Sequence, residues 1–194
     1  MDALDFFLLR YEELHRFVGK DLLGSLSDEQ LRGRPHPGVN TIAWLAWHSA
    51  RIEDVGVNRF VVDRGQVMDE GWLERMELDR RDVGTGMDDA EVDELSRRID
   101  LDGLRGYWDA ITQRTVAVVK TLHDENLEAP VPKERVQRVA FEEGAVMPKA
   151  SWLAEFWGAG RSRAWVLSQT PLLHVYGHYY EARVVKGLWG LRSP

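Results

Sequence analysis

The chain has 194 residues, a formal net charge of -7, and 44% hydrophobic against 29% charged residues. That length suffices for one domain, 1–194, with a sizeable core, and the acidic balance argues against general nucleic-acid binding, which needs a basic surface. Cysteine is absent, which excludes disulfides, thiolate metal ligands and a cysteine nucleophile and fits a reducing, cytoplasmic setting.

The opening MDALDFFLLRYEELHRF carries acids where a secretory leader has basic residues, so no signal peptide is expected. Its apolar positions Leu4, Phe7, Leu8, Tyr11, Leu14, Val18 and Leu22 recur at helical spacing up to Gly24. A short acidic segment, SDEQL, and a Pro/Gly-rich loop, RGRPHPGVN, follow. Asn40 or Thr41 then caps a second helix that runs to about Asp63 and is apolar on most of its circumference, hence well buried. Residues 64–88 are polar and glycine-bearing and read as a long connection with one short turn near Trp72 to Met76.

A third helical region spans Asp88 to Leu122 with a break near Asp100 to Gly103. In the connection 123–150, VQRVAF reads as a short strand or extended loop, and SWLAEFW after it as a short helix. The last helix is expected from Thr170 as N-cap, with Pro171 at its first position, to Gly187 as its stop. No stretch approaches the 18 or so apolar residues that a membrane span needs. The pattern is all-α, four main helices arranged most simply as a bundle, with long connections after the second and third.

The last helix contains HVYGHYYEA. Each helical residue turns by about 100°, so His174 and His178 project about 40° apart on one face and can approach one ion together. Glu181 returns to that face one turn later, as a ligand, a general base or an orienting partner of His178. The second position is Val175, so this is not the zinc-protease H-E-x-x-H helix. Imidazoles on an apolar, aromatic helix are costly without partners.

His48 lies mid-helix in AWLAWHSARIED, again among apolar neighbours. A lone histidine there is more often a satisfied core residue, but two such helices in one bundle can surround one ion with three imidazoles. His36 sits in a loop and His123 at a helix end. His15 forms one Glu-x-x-His pattern with Glu12, where a di-iron bundle needs two such motifs and further carboxylates.

NTIAWLAWHSARIEDVGVNRF and HVYGHYYEARVVKGL resemble the second-helix and last-helix motifs of the DinB-like superfamily. The resemblance implies a DinB/YfiT-like four-helix bundle, related to mycothiol-dependent maleylpyruvate isomerase and often homodimeric. It assigns His48, His174 and His178 as the metal triad, with zinc or nickel as the usual ion. Some relatives act with a low-molecular-weight thiol.

Such an ion lowers the pKa of a bound water or thiol. The expected activity is therefore metal-dependent transfer or isomerisation using an external thiol, since the chain has no Cys of its own. Hydrolysis with Glu181 as base is the alternative, and a non-catalytic metal-binding or dimerisation bundle, with SWLAEFW capping the core or a partner, is a third. Arg51, one turn beyond His48, is a candidate contact for a substrate anion, or one half of a surface salt bridge. Trp44 and Trp47 read as core. The expected partners are a small-molecule substrate and a second copy of the chain, with no nucleic acid and no membrane. Residues 64–88 and 123–150 are expected to form the pocket rim.

Overall fold

The computed structural model describes residues 1–191. Among them every regular element is helical, and the β-type pairing is an isolated bridge between Pro130 and Ser162. No helix among the described residues is long and apolar enough to cross a membrane.

Local chemistry accounts for most helix starts. Helix α1, Ala3–Phe17, begins where the Asp2 side chain accepts from the Asp5 N–H, and a π-helical turn, Val18–Leu23, carries it to Gly24. Helix α2, Asp28–Arg32, has a reciprocal capping box between Ser27 and Gln30. Thr41 caps α3, Ile42–Asp54, by accepting from the Trp44 N–H. All 13 residues of α3 are buried, as its nearly continuous apolar surface predicts, and a π turn, Val55–Val61, extends it.

Helix α4, Glu70–Arg75, lies inside the connection read as having one short turn. Helices α5, Asp89–Arg98, and α6, Leu101–Val119, are separated at Ile99 and Asp100, the latter with extended backbone, and each starts on an aspartate cap, Asp88 and Asp100.

Two stretches differ from expectation. Residues 136–141, VQRVAF, are helical: α7, Lys133–Gln137, passes into a π turn, Arg138–Glu142. Val136, Val139 and Ala140 follow the i, i+3, i+4 spacing of one helical face and are fully buried, so packing overrides their β-branched preference. After α8, Trp152–Trp157, the last helical stretch also begins earlier than the Thr170–Pro171 signal predicts.

Ser162 caps α9, Arg163–Ser168, which runs through a π turn, Gln169–His174, into α10, Val175–Leu188. Thr170 is buried and donates back to the Val166 carbonyl instead of capping. Pro171, lacking an N–H, sits within the π turn, a common way to absorb such a break. Gly187 lies within α10, and the positive φ of 74° belongs to Gly190.

Two hydrophobic cores lie on either side of this framework. One gathers Trp44, Leu45 and Trp47 of α3 with Leu104 and Trp108 of α6 and Val175 and Ala182 of α10. The other joins Tyr11, Val55 and Phe60 to Val139, Ala154, Trp157 and Val166. Full burial of one such side chain stabilises by about 1.5–3 kcal/mol.

The extension of α3 meets the α9–α10 stretch at Gly56: a Cβ there would sit 2.2 Å from Thr170 Oγ1. Only glycine permits that approach, which brings the segment ending in His174 against the helix bearing His48.

Candidate metal centre

Three histidines meet where α3 and the α9–α10 stretch converge. One ring nitrogen from each of His48, His174 and His178 lies within 4.8 Å of the other two. The rings stand nearly on edge to one another, with centroids 4.8 Å (His48–His174), 5.0 Å (His48–His178) and 4.5 Å (His174–His178) apart. His174 is the last residue of the π turn and His178 lies one turn into α10, so the i, i+4 pair points to one side as its spacing predicts.

Hydrogen bonds set two of the three tautomers. His48 Nδ1 meets the Val83 carbonyl, which can only accept, so Nδ1 carries the proton and Nε2 keeps its lone pair. His178 Nδ1 lies 2.8 Å from Glu181 Oε2 and donates to the carboxylate, which leaves its Nε2 free in the same way. His174 Nδ1 is buried without a hydrogen-bond partner among the described residues, so packing and the π turn alone aim that ring. His48 Nε2 and His174 Nε2 are 3.2 Å apart. Two nitrogens at the usual 2.0–2.1 Å from one tetrahedral ion stand about 3.3 Å apart, so the donor set fits a divalent metal.

Burial, aided by the neighbouring His178, pushes the His48 imidazole from its ordinary 6.5 down to about 3. Burial, then His48 and His178, holds His174 well below its ordinary value. Both rings are therefore neutral at physiological pH, the form that ligates. Burial alone would raise the Glu181 carboxyl, but hydrogen bonds from His178 and Asn40 hold it below the usual 4.5. Its second oxygen accepts from Asn40 Nδ2 at 2.8 Å. Both Glu181 oxygens are thus engaged, one of them on a ring that faces the centre.

Trp44 stacks on His48, with centroids 4.6 Å apart and planes 10° from parallel, and meets His178 edge-on. It belongs to the core and also forms one wall of the histidine cluster. A cavity of about 230 Å³ adjoins His48 and His174. Its rim takes Thr85 from the connection 64–88, as expected, while its far wall is α8 and not the connection 123–150.

Arg51 stands apart from the triad. Its guanidinium is fully buried, 3.2 Å from Asp54 and 3.1 Å from Tyr107 Oη, and it donates to Gln66 and to the Arg81 carbonyl. Asp54 accepts as well from the N–H groups of Val67 and Met68, from Asn58 and from Tyr107. This buried cluster fastens the connection 64–88 to α3 and thereby presents Val83 to His48. Asp54 was not among the candidate residues; its i, i+3 spacing from Arg51 is the one sequence signal of this pairing.

His15 is equally committed: it lies 3.0 Å from Glu53, which also accepts from Tyr11 and Thr115, while Glu12 is exposed. A Glu-x-x-His metal motif is thereby excluded at that position.

No curated protein matches the chain. A solved structure described as the conserved protein of locus from Enterococcus faecalis superposes with a TM-score of 0.66 at 18% identity, covering 96% of this chain and 99% of that one. At that identity the likeness speaks for the fold alone. The model of the DinB superfamily matches residues 18–157, well over half of the chain, a segment that contains His48 and ends before His174 and His178. The chain belongs to the DinB superfamily.

Proposed function

We propose that the chain is a divalent-metal-dependent enzyme, most specifically an S-transferase or isomerase that uses an external low-molecular-weight thiol. The observation that carries the reading is the convergence of three buried or half-buried imidazoles, two with Nδ1 engaged and Nε2 free. His48, His174 and His178 would hold zinc or nickel, leaving further coordination positions open, as catalytic sites do. Bound there, the ion supplies Lewis acidity that makes a water or a thiol acidic near neutral pH.

The chain's own groups divide the remaining work. Glu181 and the Val83 carbonyl hold the Nδ1 protons of His178 and His48 and so keep Nε2 of each ring turned inward. With both carboxylate oxygens engaged, Glu181 is poorly placed as the general base that hydrolysis would ask of it. This favours thiol transfer over the hydrolase alternative. Arg51, already neutralised by Asp54, suits loop anchoring better than contact with a substrate anion.

In this reading the chain is a single domain whose four long helical stretches form one DinB/YfiT-like four-helix bundle, working in the cytoplasm as a homodimer on a small molecule, without nucleic acid or membrane. Leu173, Tyr180, Val184 and Leu188 form an exposed apolar stripe along the α9–α10 stretch that a second copy would cover.

Elemental analysis of the purified protein tests the metal: about one divalent ion per chain is expected, lost in His174→Ala. No uptake under several loading conditions would reject the enzyme reading. With metal present, consumption of mycothiol, bacillithiol or glutathione against electrophilic acceptors supports transfer. Ester or amide cleavage without thiol consumption rejects it.

A further inference from the structure

The cavity beside His48 and His174 has a distinct chemistry. Its volume is about 230 Å³, and Ile52, Trp152, Phe156 and Trp157 form its apolar wall. Thr85 and Gln169 add uncharged hydrogen-bonding groups, and no Asp, Glu, Lys or Arg lines it among the described residues. The Arg161 guanidinium packs on Phe156 and Trp165, with 5.4 and 4.4 Å to the ring centroids, and does not line the cavity. Trp157 is fixed edge-on against Phe60 with centroids 5.2 Å apart, whereas Trp152 and Phe156 remain 56% and 37% exposed. Two large aromatic side chains of a six-residue helix thus line a cavity that reaches two of the histidines while remaining partly exposed.

Size and polarity define what fits. An apolar cavity of about 150 Å³ accepts benzene, so this one admits a substituted ring. Nothing lining it neutralises a charge carried by the part of a ligand lying away from the histidines, and an unpaired charge is costly in such surroundings. We infer that the organic substrate carries an uncharged, ring-sized apolar group that seats between Trp152, Phe156 and Trp157, with its reacting atom directed at His48 and His174. Which atom reacts rests on the metal-enzyme reading; the seat for the ring rests on the cavity alone.

The test titrates para-fluorobenzyl mercaptan and para-carboxybenzyl mercaptan into metal-free and cobalt-loaded protein, followed by fluorine NMR for the first and calorimetry for both. Saturable binding of the fluorinated probe, at least about tenfold tighter than that of the carboxylate probe, is expected in both forms. Trp152→Ala and Phe156→Ala are each expected to weaken it by roughly fivefold or more, with cobalt stoichiometry and helical circular dichroism unchanged. Because both side chains are partly exposed, neither variant is expected to unfold the protein.

Equal or tighter binding of the carboxylate probe overturns the inference, as does unchanged affinity in both variants. A protein that takes up cobalt yet binds neither probe also overturns it. One that takes up no metal but still seats the fluorinated probe upholds the cavity assignment and rejects the metal reading.

Discussion

Removing the Glu181 carboxylate separates three roles that this residue can hold at a metal centre. Its Oε2 fixes His178 Nδ1 at 2.8 Å and its Oε1 is itself held by Asn40 at 2.8 Å. Hydrogen bonds to charged groups are worth about 1.5–3 kcal/mol, but this side chain is 35% exposed, so water competes and the lower end applies. Losing an orienting partner of this kind costs roughly 10–100-fold in metal affinity, about 1.4–2.8 kcal/mol. Glu181→Ala is therefore expected to weaken metal binding by about tenfold. Glu181→Gln keeps an oxygen for His178 and sets its amide N–H₂ against Asn40, which can turn its own amide to accept; its loss is expected to be smaller.

Competition against a chromogenic chelator reads both affinities, with His178→Ala as the reference for a lost ligand. Wild-type affinity in Glu181→Ala would refute the orienting role. A loss as complete as that of His178→Ala would make Glu181 a ligand. Unchanged affinity with a collapsed kcat would make it the general base.

Other perturbations probe the framework. Gly56→Ala forces a Cβ to within 2.2 Å of Thr170 Oγ1, so thermal unfolding should show a loss of about 1–3 kcal/mol, with weaker metal binding because His174 moves with that segment. Asp54→Asn leaves the buried Arg51 charge uncompensated; a loss of about 3–5 kcal/mol and faster amide exchange across residues 64–88 are expected, and unchanged exchange would reject the anchoring role. The Arg59 guanidinium holds the Glu143 carboxyl below its ordinary 4.5 against the opposing effect of burial. Since the folded value is the lower one, this stability is complete above the unfolded carboxylate value of about 4.3 and lost as pH falls through the folded value. Glu143→Gln should therefore flatten the dependence of urea unfolding on pH below about 4.3. Val184→Asp, on the exposed stripe of α10, should shift sedimentation to a monomer if that stripe is the interface between copies.

Much of this arrangement was legible in the sequence because the signals were local. Thr41 starts α3 as the cap it predicts, the break expected near Asp100 falls between α5 and α6, and the 3.6-residue period of α1 and α6 marks their buried faces. The i, i+4 spacing of His174 and His178 fixed their shared direction, and the apolar mid-helix setting of His48, together with the resemblance, supplied the third ring.

What stayed hidden depends on groups without a sequence signature. The acceptor that aims His48 is a backbone carbonyl, at Val83, which any residue would supply. The π turn before α10 replaced the expected Thr170 cap because Ser162 starts the stretch earlier and Gly56 lets Thr170 pack closely. Arg51 is buried, and not the substrate contact or surface salt bridge its position suggests, because its partners Gln66 and the Arg81 carbonyl arrive from the connection 64–88, whose path no periodicity predicts.

The polar residues of α3 explain why the centre is pre-set. Going round the helix at about 100° per residue, Arg51 and Asp54 stand about 60° and 120° to one side of His48, and Glu53 about 140° to the other. Each direction meets a different partner set: Val83 and the other histidines, the connection 64–88 with Tyr107, and Tyr11 with His15 and Thr115. All of these groups are buried or half-buried, so each would be left unsatisfied if α3 turned or slid by one residue. An apolar helix of the same volume would pack comparably yet allow small rotations, since dispersion contacts are nearly direction-free. Three polar anchor sets at different azimuths remove that freedom, and His48 Nε2 is held in its direction before any ion arrives. Among the described residues His174 Nδ1 has no partner, and the ring lacks such an anchor. An ion held by the three rings would therefore draw any adjustment first from the π turn that carries His174.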